Sequence, residues 1–255
     1  MTRSSEKTAG LAHEAYLKVR SRILRGEFAI GQAISRRKVA EELGMSFLPV
    51  SEALLRLEIE GLIESRARAG TRVRIPTRQA VRGHYTVREA LEVQAARLFA
   101  AAATAAERAE LLKLAAKVDQ LAERPDQNRL AYLTAHEKLH RRVAECARCP
   151  ALSDAIEKTH ALASTWLCAG HAPADQASSS RAVKPRRQPA RRHSELAQVL
   201  VEKDAEAAAE AMRAHVVFSM QNTMQRLAPY FRLRSASRKT YSRTVAGRSR
   251  AAATA

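Results

Sequence analysis

The chain has 255 residues, 46% of them apolar and only 4% aromatic, and carries a formal charge of +18. That length accommodates one large domain or two ordinary ones; the charge favours a polyanionic partner, and the scarcity of aromatics argues against base-stacking RNA platforms. No run approaches the roughly 20 apolar residues of a bilayer span, the N-terminal MTRSSEKTAG lacks the apolar stretch of a signal peptide, and three cysteines give no disulfide framework, so a soluble, reducing, cytoplasmic setting is expected.

Residues 1–10 are expected to be disordered. Helical spacing begins near His13, with Tyr16, Val19, Ile23 and Leu24 on one face, and Gly26 and Gly31 break it. Ser35 suits the N-cap of a short helix through Leu43, and Gly44 suits its C-terminal cap. Ser46 opens the next helix, with Pro49 in the first turn, where its missing N–H costs nothing. Val50, Ala53, Leu54 and Leu57 form the inward stripe, and Gly61 stops it. Residues 63–65 and 72–75 read as short strands around a turn at 67–70, and Pro76 closes the unit. Helix, tight turn, helix and basic hairpin is the order of parts in a winged helix-turn-helix.

From Arg78 onward Ala, Leu, Glu and Arg dominate and strand signals vanish. Six helices are predicted, at about 78–104, 105–123, 127–147, 151–169, 191–203 and 205–228, the last capped by Asp204. The Ser/Pro/Arg stretch 172–190 is expected to be a mobile loop. After Pro229 a basic, Ser-rich tail is expected to be disordered. The fold class is thus mainly α: a winged helix-turn-helix domain at 10–77, an all-α antiparallel bundle at 78–229, and a disordered basic tail at 230–255. Most of the surplus charge sits outside the first unit. Residues 232–255 hold seven Lys/Arg and no acid, whereas residues 1–77 hold 14 basic and nine acidic groups.

The first unit resembles the GntR family of bacterial transcription regulators. The resemblance rests on G-E-F-x-x-G (Gly26, Glu27, Phe28, Gly31), on S-x-x-P-V-x-E-A-L (Ser46, Pro49, Val50, Glu52, Ala53, Leu54), on L-x-x-E-G-L-I over residues 57–63, and on G-T-x-V over residues 70–73. It implies DNA contacts from Arg36 or Arg37, from Ser46, Phe47, Leu48 and Ser51 on the recognition helix, and from Arg68, Gly70 and Thr71 on the wing. Helix N-termini and hydroxyls suit phosphates, and Arg suits guanine edges or phosphate. Phe47 and Ser51 stand where the family usually carries Arg. Phe cannot donate to guanine; it touches a thymine methyl or packs at the start of its helix. Arg66, Arg72 and Arg74 are either wing contacts or solvated strand residues.

The second unit offers a histidine set. His136 and His140 are four apart and share a helix face, His193 opens a later helix, and His215 lies in the last one. Neutral imidazoles on facing helices suit Zn, Ni and similar ions. The remaining His13, His84, His160 and His171 are read as scattered surface or core residues. The set resembles the FadR-like branch of the GntR family, whose all-helical FCD effector domain commonly carries Asp-x-x-x-His and two further His. His140, His193 and His215 match that pattern, and His136 replaces the Asp. The R-x-x-L-E of the family's first effector helix is present from Arg88 to Glu92. The resemblance implies a divalent transition metal, Zn or Ni, that helps hold a small carboxylate effector, with Arg88 as the carboxylate partner. Otherwise Arg88 is a surface residue bridged to Glu92 at i+4.

A rival reading comes from H-E-K-L-H at 136–140, which matches the H-E-x-x-H of zinc peptidases with Glu137 as general base. Against it, two further His already stand where they would fill zinc's usual four-ligand shell, which leaves less room for a catalytic water. Cys146 and Cys149 form an isolated C-x-x-C without a second pair or a βαβ context, and they and Cys168 are read as small buried thiols. A nonspecific basic nucleic-acid-binding scaffold is the third reading. The reading adopted is a non-enzymatic, ligand-controlled transcription regulator, expected to act as a repressor. It binds a palindromic double-stranded operator as a homodimer, without a membrane partner.

Overall fold

The computed structural model describes residues 2–66, 70–123, 129–167 and 192–251, the side chains of 2–8, 161, 165, 167 and 232–251 excepted. Among the described residues the order is α1 (Thr2–Leu24), β1 (Ala33–Ile34), α2 (Arg36–Leu43), α3 (Phe47–Ile59), β2 (Ile63–Arg66), β3 (Gly70–Val73), α4 (Arg78–Ala102), α5 (Ala105–Ala122), α6 (Arg129–Cys146), α7 (Pro150–Leu167), α8 (His193–Val201) and α9 (Ala205–Ala251).

The head is a winged helix-turn-helix. Ser35 Oγ accepts the backbone N–H of Lys38, opening α2, and Gly44 closes it in the left-handed region at φ +63. The α3 stripe expected from the sequence is buried: Val50, Ala53, Leu54 and Leu57 pack against Ala15, Tyr16, Val19 and Ile23 of α1. Gly61 turns the chain into the wing at φ +78, where any Cβ would be strained and would stand 3.1 Å from Arg74 Nη1. The strands pair antiparallel in the order β1–β3–β2, with Ser65 opposite Thr71. β1 was not expected. Two residues are too short to carry a period, and only their pairing with Thr71 and Arg72 makes them a strand.

The bundle has its own core, in which Phe99, Leu111, Val118, Ile156, Leu200, Met212 and Leu227 are buried. α4 runs along α9, α5 packs on α6 and α8, and α7 covers α4 and α6. Thr104 and Glu107 form a reciprocal cap at the start of α5. Buried Arg108 fastens two helix ends. Its Nε donates to Ala103 O, its Nη2 to Ala100 O at 2.7 Å and its Nη1 to Val201 O at 3.0 Å. A cation there meets the orphan carbonyls and negative dipole ends of α4 and α8 together.

Head and bundle meet on α6. Arg20 Nη2 of α1 donates to Glu137 at 3.3 Å, and Leu24 packs with Leu133. Two expectations about the chain ends are corrected. α1 starts at Thr2 rather than near His13, since residues 2–12 hold no proline and one tolerated glycine. α9 continues through Pro229 to Ala251 instead of ending near 228, so residues 230–251 are helical rather than a disordered tail. One proline costs a single ladder bond, and Arg, Ala and Lys beyond it are good helix formers. The expected loop at 172–190 lies outside the described residues.

Candidate functional site

The proposed DNA-facing residues lie on α2, on α3 and on the wing. Arg37 is exposed and donates to Glu41 at 3.1 Å, and Arg36 lies beside it in the first turn of α2. Ser46 starts α3 without a side-chain cap bond, which leaves its hydroxyl free for another acceptor. Phe47 and Leu48 are 58% and 59% exposed, so Phe47 does not fasten the start of the helix to the core. Ser51 follows one turn on, its hydroxyl shielded and without a partner. Gly70 is exposed at the wing with φ +75. Thr71 departs from expectation. It is buried, and its Oγ1 lies 3.1 Å from Ser65 Oγ, because alternation along β3 turns Thr71 and Val73 inward. Its side chain supports the wing and does not face outward. Arg68 lies outside the described residues. Arg66 and Arg72 both pair with Glu64.

In the bundle, the four expected imidazoles converge. One nitrogen from each of His136, His140, His193 and His215 lies within 4.8 Å of the others, and all four rings are buried. α6 supplies two ligands one turn apart, α8 presents His193 in its first turn, and α9 presents His215. The Nε2 atoms of His136 and His140 are 3.3 Å apart. That matches one edge of a tetrahedron with metal–nitrogen bonds of about 2.0–2.1 Å.

The surroundings orient the rings. Asp119 on α5 accepts from His193 Nδ1 at 3.1 Å and from the backbone N–H groups of His193 and Ser194. This fixes the Nδ1–H tautomer and leaves His193 Nε2 buried without a partner, aimed at the cluster. Both nitrogens of His215 are likewise buried and unpartnered. Burial opposes ionisation of Asp119, yet the bonds from His193 and Ser194 hold its carboxyl below the usual range. Burial holds His136 and His215 well below the ordinary imidazole value, reinforced by the neighbouring rings, and brings His140 to about 4. The rings of His136, His140 and His215 are therefore neutral at pH 7, the state that donates a lone pair. Orphaned donors, neutral rings and tetrahedral spacing together fit a transition ion.

A polar seam lies beneath them. Arg88 is fully buried, and its Nε donates to Glu92 at 2.7 Å. The helical i,i+4 bridge is thus present, but in the interior rather than on the surface. Arg88 Nη1 and Nη2 have no hydrogen-bond partner, and the guanidinium carbon stands 5.0 Å from the centre of the Tyr85 ring. Glu92 Oε2 lies 2.6 Å from His140 Nδ1, at an angle poor for a hydrogen bond, and Oε1 lies 3.4 Å from His160 Nε2. Burial disfavours the Glu92 carboxylate, but Arg88, His140 and His160 hold its pKa well below the ordinary value. Asp119 and His160 were missed as site residues, and Glu92 was read only as the bridge partner of Arg88. Asp119 and His160 carry no local signal because their partners are far away in sequence.

Glu137 faces away from the ring cluster. It accepts from Ser164 Oγ at 2.5 Å and from Arg20, so it is not placed as a base beside an imidazole-held water. The H-E-x-x-H spacing arises from two His that join the imidazole cluster and one residue tied to other helices. Cys146 is buried and its thiol is pushed up to about 11, chiefly by burial, so it is not a poised nucleophile.

Residues 11–73 match the family described as bacterial regulatory proteins, gntR family, and residues 84–218 match the FCD domain. The chain is 38% identical over 78 residues to a probable D-xylose utilization operon transcriptional repressor of Paenarthrobacter nicotinovorans, a match to about a third of that relative's length (34%) and 31% of this chain. In fold it is similar to Escherichia coli McbR/YncC, with TM-score 0.61, 24% identity and coverage of 87% of this chain and 98% of that one. It is also similar to a GntR transcriptional regulator of Rhodococcus sp. RHA1, with TM-score 0.65, 20% identity and coverage of 84% and 97%. The chain therefore belongs to the GntR family, in its FCD-domain branch, and is a DNA-binding transcription regulator rather than an enzyme.

Proposed function

We propose that the chain is a metal-containing repressor that binds a palindromic operator as a homodimer and is controlled by a small carboxylate held in the FCD bundle. The observation that supports this best is the buried tetrad of His136, His140, His193 and His215 beside an interior Arg88 with two unpartnered guanidinium nitrogens. A carboxylate answers both: a guanidinium offers it a two-point fork, and a Zn- or Ni-class ion supplies a Lewis-acid site for one oxygen.

The chain's own residues then carry the signal. α6 bears His136 and His140 in the imidazole cluster and, alongside them, Leu133 and Glu137, which hold α1 through Leu24 and Arg20. A ligand that prefers one position of α6 favours one placement of the head, and two heads with altered spacing no longer match two half-sites. Arg36, Arg37, Ser46, Phe47, Leu48 and Gly70 are the residues we assign to DNA contact.

The test is metal content paired with operator binding. Freshly purified protein is expected to hold about one transition ion per chain by elemental mass spectrometry, and His193→Ala with His215→Ala to hold none while keeping its helical circular dichroism. Footprinting on the DNA upstream of its own gene should show a two-fold symmetric protected site. Absence of any ion above background removes the metal from this reading; absence of a symmetric footprint on any selected DNA removes the operator.

A further inference from the structure

The apolar start of α3 is unexplained by the head's own packing. Phe47 and Leu48 are 58% and 59% exposed, while Pro49 and Val50, which follow immediately, are buried. The first turn contains no acidic side chain, and Ser46 does not use its hydroxyl as a cap. Three cationic residues, Arg36, Arg37 and Lys38, open the neighbouring helix α2. A surface that is apolar at its tip, uncharged around it and flanked by cations is built for a polyanion that presents apolar groups in a recess. In the major groove of DNA the only apolar group on a base edge is the C5-methyl of thymine. Guanine offers Phe and Leu acceptors alone, which neither side chain can satisfy.

We propose that Phe47 and Leu48 read thymine methyl groups, so that each operator half-site carries thymine beneath the first turn of α3. This rests on the reading of α3 as the helix that enters the groove, and it names the base chemistry that helix selects. Ser46, exposed at the start of the helix, then faces phosphate or a base edge beside them, while Glu52, exposed on the same helix, lies a turn beyond and disfavours close phosphate approach there. Specificity arises from desolvating a methyl against an aromatic or aliphatic face rather than from a bidentate Arg–guanine pair.

The experiment uses the full-length protein. A preferred site is first selected from random duplex DNA. Each thymine is then replaced by deoxyuridine, which deletes the methyl and nothing else, and affinity is read by fluorescence anisotropy. At one or two positions per half-site the replacement is expected to weaken binding about three- to fivefold, the size expected for one methyl returned to water. Phe47→Ala and Leu48→Ala, checked for unchanged thermal melting, are each expected to bind more weakly, with at least one of them binding thymine and deoxyuridine equally at an affected position. Unmodified affinity for a fully deoxyuridine-substituted site overturns the proposal, as does discrimination that survives in both variants. Gain of binding only with 5-methylcytosine would assign the contact to a modified base and also overturn it. A change of oligomeric state without any effect on DNA would assign the patch to a second copy of the chain. Failure to select any sequence would sink the regulator reading itself, whereas a selected site indifferent to methyls sinks only this inference.

Discussion

At the scale of single residues, the bundle interior includes charged and titratable groups whose burial costs free energy. Arg88 and Glu92 are 0% and 2% exposed and stabilise each other only as a pair. Arg88→Met leaves the Glu92 carboxylate uncompensated and is expected to lower stability by about 3–5 kcal/mol. Arg88→Met with Glu92→Leu should recover most of that in urea denaturation; equal destabilisation in both variants would show that the pair is not what matters. The imidazoles give a pH dependence. Burial holds His84 and His140 at about 4, and His136, His160 and His215 are also lowered, whereas unfolded imidazoles take a proton near 6.5. Between about pH 4 and 6.5 the unfolded chain binds more protons, so stability rises with pH across that window and is lost as pH falls through it. Chelator-treated protein should show this as a falling denaturation midpoint from pH 6.5 down to 4.5; a flat midpoint would contradict the buried, neutral state of the rings.

At the scale of elements, α6 is the piece that belongs to both halves. Its periodicity places His136 and His140 inward, and it places Leu133 and Glu137 against α1 and α7. Glu137→Gln keeps the size of the side chain and its bond from Ser164 but removes the charge that Arg20 meets. The expectation is that metal content and intrinsic operator affinity stay within about twofold of the native protein. The change in operator affinity caused by a chelator should shrink by at least half. A chelator response of native size in Glu137→Gln would mean that the signal does not pass through this contact. Coupling of this kind is typically about 1–3 kcal/mol, large enough to measure by anisotropy titration.

At the scale of the whole molecule, charge and specificity separate. The seven Lys/Arg of residues 232–255 contribute to the overall +18 but do not belong to the winged head. Deleting 232–255 is therefore expected to weaken DNA binding and reduce its dependence on salt while leaving the preferred sequence unchanged. Loss of sequence preference on truncation would instead make the C-terminal helix part of the reading surface. The two hydrophobic cores, one built from residues 15–73 and one from residues 81–227, are the packing basis for treating head and bundle as units with separate tasks.

The winged head was legible because its signals are local. Caps, glycines and the α3 stripe act within one or two turns, so Ser35, Gly44, Val50 and Leu57 could be placed without any partner in view. The convergence of the four buried His was legible because helical spacing and a family pattern marked them in advance. Tertiary structure alone decided that Asp119 orients His193 from 74 residues away, that Glu92 and His160 lie under the cluster, and that Thr71 turns inward while Phe47 turns out. It also decided that α9 runs on past Pro229, since a single proline does not say whether the next turns find support. The difference is physical: a cap or a period is enforced by neighbours along the chain, whereas the state of a buried charge depends on groups that only folding brings within reach.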